Sequence, residues 1–78
     1  MPDLQQERER LAQADRHIAE GRRRVTNQVV LIARLAQDRH DTAEARRLLV
    51  TLEETLDEWY EDRQIILSTI ARLTAAMP

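Results

Sequence analysis

Apolar residues stand at Leu4, Leu11, Ile18, Val25 and Ile32, each seven positions after the last. This spacing constrains the chain more than any other feature. Helical residues seven apart share a face, so a sustained heptad demands a long helix whose apolar stripe needs a neighbour. With these residues at position a, the d positions hold Glu7, Ala14, Gly21, Gln28 and Leu35. The first seam is therefore half apolar and half small or polar. A second register follows Asp41, with Leu49, Leu56, Arg63, Ile70 and Met77 at a. Its d positions are Ala45, Leu52, Trp59, Ile66 and Leu73, so Arg63 is its one charged intruder. The registers do not join, because Arg39 stands seven places past Ile32.

A break between two helices of equal length predicts an antiparallel hairpin. Asp3 is the expected N-cap of the first helix, with Pro2 before it. Asp41-Thr42-Ala43-Glu44 reads as a capping box for the second, an Asp N-cap with Glu at the third helical position. One helix is expected over about residues 3–38, a turn over about 39–41 and a second helix over about 42–76, all within a single domain of 78 residues. The composition agrees. There is one Gly, two Pro, no Cys and no Phe, and 33% of the residues are charged, which suits helices and not sheets. With no Gly at the turn, Arg39 or His40 must take the left-handed conformation. Folding about that point sets Gly21 level with Trp59, so the missing side chain makes room for the indole.

Net charge is −2, so no bulk attraction to nucleic acid or an anionic membrane is expected. Its distribution is uneven. Residues 1–40 carry eight bases and six acids, and residues 41–78 carry four and eight. The hairpin sets Arg22, Arg23 and Arg24 level with Glu53, Glu54, Asp57, Glu58, Glu61 and Asp62, and ion pairs between the clusters are expected to orient the helices.

The string Asp15-Arg16-His17-Ile18-Ala19-Glu20-Gly21, with Arg24-Val25, Gln28, Leu31-Ile32-Ala33-Arg34-Leu35, Asp41-Thr42-Ala43-Glu44-Ala45 and Leu48-Leu49, resembles a family of small uncharacterised alphaproteobacterial proteins. The resemblance covers roughly residues 11–56. It implies a helical hairpin in the cytoplasm and no chemistry. The family often has Gly just before the capping box, where this chain has Arg39-His40.

Three clusters could carry chemistry. His17 precedes Gly21 by four residues, a spacing similar to that of histidine phosphotransfer domains, and a hairpin dimerising to four helices resembles kinase dimerisation domains. The phosphotransfer pattern favours Lys before the Gly, whereas Glu20 stands here and would oppose an incoming phosphate. Kinase domains favour an acid directly after the His and a Pro within a turn; Ile18 follows here. A structural His at the seam edge is the simpler reading. Arg22-Arg23-Arg24 could contact phosphates, but three consecutive residues fan over ~200° of a helix and read as a solvated face. The acids from Glu53 to Asp62 lack the inward Glu-x-x-His pattern of carboxylate metal sites. No nucleophile–base pair or Gly-rich loop stands in the sequence, and a hairpin is expected to lack room for a pocket of ~300 Å³. Neither an enzyme nor a cofactor is expected. Arg63 at a is expected to reach the seam edge, with Asp15 or Asp62 as partner.

Val29, Val30 and Leu31 occupy e, f and g, so the turn-proximal third of the first helix is apolar nearly all round. Leu48 and Val50 lie level with it. A helix apolar all round is a buried helix, and one neighbour cannot bury it. The chain is expected to pair with a second copy as an antiparallel four-helix bundle centred on Val29–Ala33 and Leu48–Leu52, with Val29, Val30, Leu31, Leu48, Leu49 and Leu52 in the interface. The N-terminus shows no basic and apolar leader, and the longest apolar run, Val29–Ala33, is far short of the ~20 residues that span a bilayer. The expectation is a cytoplasmic, non-enzymatic interaction or structural module that partners itself. Phosphotransfer or kinase adaptation through His17, and nucleic-acid regulation through Arg22–Arg24, are the alternatives.

Overall fold

In a computed structural model, which describes residues 2–77, helix α1 runs from Leu4 to Gln37 and helix α2 from Ala43 to Ala75. The two pack along their length into a rod of 63 × 15 × 15 Å. The described residues contain no strand. Each helix is one residue shorter at either end than expected from the sequence.

Asp3 begins α1. Its backbone is extended and its carboxylate accepts the Gln6 N–H at 2.7 Å, satisfying one of the helix's free first-turn donors. The other end closes with two bonds. The His40 N–H reaches back to the Leu35 carbonyl at 2.8 Å and the Arg39 N–H to the Ala36 carbonyl at 3.1 Å. This six-to-one and five-to-two pair is a Schellman closure, which needs a left-handed residue at its corner. Arg39 supplies it with φ 62°. A side chain there costs roughly 1–2 kcal/mol relative to glycine.

The capping box at α2 forms differently from the expected one. Thr42, not Asp41, occupies the cap position, and the Thr42 side chain makes no cap bond. Asp41 lies one residue before the cap and accepts the Ala43 N–H at 2.9 Å. The Thr42 carbonyl accepts the Arg46 N–H at 2.9 Å, and its hydroxyl accepts Arg46 Nε at 3.0 Å. Because Asp41 bonds two residues ahead and not three, the helix begins one residue later than the box would have it.

The seam follows the heptads. Every residue of α1 that is not exposed sits at a or d: Leu4, Glu7, Leu11, Ala14, Ile18, Gly21, Val25, Gln28, Ile32 and Leu35. Of these, Glu7, Ile18, Gly21, Gln28 and Ile32 are buried. The α2 residues facing them are only half-buried, and none of them is fully enclosed. Two helices give each other one covered side, and the larger side chains of α2 overhang it.

Candidate functional site: the face of the hairpin

At the middle of the rod, Gly21 lies against the Trp59 ring. A β-carbon added at Gly21 would stand 2.8 Å from Trp59 Cζ3 and 3.1 Å from Leu56 Cδ1. The mid-helix glycine, which costs α1 about 1 kcal/mol relative to alanine, thus admits the indole. His17 is exposed, one turn before Gly21, and its ring lies 5.4 Å from the Trp59 ring at a 32° tilt.

Arg63 reaches the seam edge as expected. Its Nε donates to Asp15 Oδ1 at 2.7 Å, with the two side chains 33% and 52% exposed. This is the cross-helix ion pair among the described residues. The expected pairing of Arg22, Arg23 and Arg24 with the acids of α2 does not form. Arg24 instead donates to Glu20 at 2.7 Å within its own helix. Arg22 and Arg23, and the acids from Glu53 to Asp62, are exposed and form no ion pair among the described residues. Being level along the rod does not put side chains on the same side of it, and each residue step turns the direction by ~100°.

Two buried polar groups were not singled out from the sequence. Gln28, 8% exposed, donates from Nε2 to the Ala45 carbonyl at 2.8 Å and so ties α1 to the first turn of α2. Glu7 is 3% exposed and lies 3.5 Å from Arg10 Nη1, near the open end of the hairpin. Their occupation of d positions was the signal available in the sequence.

The six residues expected in a self-association surface divide into two groups. Val29, Val30, Leu31 and Leu48 are exposed, with Val30 at 44% and Leu48 at 49%. Leu49 and Leu52 sit half-buried in the seam. Val50 and Ile65 are also exposed, Ile65 at 65%.

The hollows of the hairpin are open grooves along the rod. Two of them border the small d residues Ala14 and Ala45. One of about 460 Å³ is bordered by Ala14, His17, Trp59 and Ile65, and another of about 510 Å³ by Gln28, Leu31, Ala45 and Leu48. A third, of about 540 Å³, is bordered by Glu7, Arg10, Ile65 and Thr69. All are open to solvent and have the form of grooves. The described residues contain no group of three or more His, Cys, Asp or Glu able to hold a metal ion, and no helix long and apolar enough to cross a membrane.

No protein-family model matches the chain, and no curated protein or solved structure matches it. The fold and the face described above are therefore what bear on its role.

Proposed function

We propose that this chain is a non-enzymatic cytoplasmic interaction module that works by self-association, two hairpins combining into a four-helix bundle. The observation that carries the reading is the incomplete core: no residue of α2 is buried, while Val29, Val30, Leu31, Leu48 and Val50 stand exposed around one end of the rod. Exposed apolar residues clustered in this way mark a surface made for another protein.

Light scattering at micromolar concentration tests it. The expected mass is about twice the chain's 9.1 kDa, and Val30→Glu or Leu48→Glu should shift the population toward monomer. A well-folded monomer rules the module out as a self-associating one. Phosphohistidine that His17→Ala abolishes would replace this reading with phosphotransfer. Salt-dependent nucleic-acid binding lost on substitution of Arg22–Arg24 would replace it with nucleic-acid regulation.

A further inference from the structure

Self-association, on which this inference rests, leaves open how the two rods lie. They can pair with both turns at one end, about a two-fold axis parallel to the rod, or head to tail, about an axis across it. We propose the first: the second copy lies with its turn beside this chain's turn, and each α1 packs between its own α2 and the partner subunit's α2.

Surface area sets the extent of the contact. The chain exposes 6194 Å², whereas a compact monomer of its mass exposes about 4,900 Å². Covering the excess of about 1,300 Å² on each copy buries about 2,600 Å² in all, within the range of obligate homodimers. The five residues at the turn end cannot supply that much. The contact has to run along the rod, where the clefts at Leu31–Leu48 and at His17–Trp59 offer a continuation on one face. By heptad position Leu31, Leu48, His17 and Asp62 are all g.

Apolar placement sets the direction. Five of the eight exposed large apolar residues, Val29, Val30, Leu31, Leu48 and Val50, stand toward the turn, and Tyr60, Ile65 and Met77 toward the open end. Two rods overlapping over their full length bring the five of each copy together only when the turns share an end. Head to tail at full overlap, those five residues would instead face the open half of the other copy, where Tyr60, Ile65 and Met77 are the exposed large apolar residues.

Charge gives the same answer independently. Helix α1 carries seven Arg and four acids, and α2 carries four Arg and seven acids, so the helices bear +3 and −3. When each helix is antiparallel to its neighbours, the shared-end arrangement puts each α1 beside the partner subunit's α2. The head-to-tail arrangement puts α1 beside α1 and α2 beside α2, like charge against like. Such charges determine which arrangement forms more than how tightly it holds.

The chain has no cysteine, so single spin labels can be placed without background. Gln5→Cys marks the open end and His40→Cys the turn, both at exposed positions. Dipolar electron resonance on each labelled dimer should give a distance under about 25 Å, given helix spacings of about 8–10 Å. A Gln5 distance of about 50 Å or more overturns the arrangement, since head-to-tail packing separates the open ends by at least a helix length. Light scattering on the same samples separates the two claims. A monomer there removes self-association itself, while a dimer with a long Gln5 distance removes only the shared-end geometry.

Discussion

Gly21 and Arg39 are opposite kinds of exception. Gly21 lacks a side chain where one would strike Trp59, at 2.8 Å from the added β-carbon, and Arg39 has one where glycine would be easier, at φ 62°. For Gly21→Leu the extra methylenes must displace an indole packed between helices, an overpacking expected to cost about 2–3 kcal/mol. Gly21→Ala should come out near neutral. The ~1 kcal/mol of helix propensity it gains is offset by moving the ring. Urea denaturation reads both, and a Gly21→Leu variant as stable as the parent would place the indole elsewhere. Arg39→Gly should stabilise by about 1 kcal/mol, because the left-handed corner loses its steric cost and outweighs the added freedom of the unfolded chain. A lower melting temperature for Arg39→Gly would mean that the arginine side chain holds the turn. The glycine's neighbour was legible from residue numbers alone, since folding about 39–40 aligns 21 with 59. The corner was narrowed to two residues, and the choice of Arg39 needed the backbone bonds of Arg39 and His40.

Within each helix, the heptads located the seam because they report on only one variable, the direction a side chain leaves the axis. All ten a and d positions of α1 are its ten non-exposed residues. The start of α2 was less legible. Asp41 and Thr42 are both good caps, and which one ends up outside depends on a bond two or three residues ahead. The observed geometry has a direct consequence. Asp41→Ala removes the bond to the Ala43 N–H and should cost about 1 kcal/mol, while Thr42→Ala removes no cap bond and should cost under about 0.5 kcal/mol. Thermal unfolding of the two variants gives the order, and the reverse order would restore the expected capping box. The ion pairs were misread for a different reason. Position along the chain fixes the level of Arg22–Arg24 but not which way each guanidinium turns, and Arg24 found Glu20 one turn away. Two of the grooves border the small d residues Ala14 and Ala45, whose short side chains were visible in the heptads, while the one at Glu7 has no such signal.

For the whole molecule, stability and assembly should be one equilibrium. If the core is completed by a second copy, unfolding releases two chains, and a tenfold dilution should lower the melting temperature by about 4 °C. Scanning calorimetry over a hundredfold concentration range checks this, and a constant melting temperature would show that one hairpin is sufficient. The rod also has a mechanical character. Its helices are joined at one end only, and its open end begins at Leu4 and finishes at Ala75. A force drawing those two ends apart does not shear the seam. It peels the helices from each other one heptad layer at a time, and the layer holding the Glu7 carboxylate is among the first to part. Force applied along the rod from turn to open end loads both helices together. The same molecule is thus a stiff spacer under compression and a zip-fastener under tension across its open end.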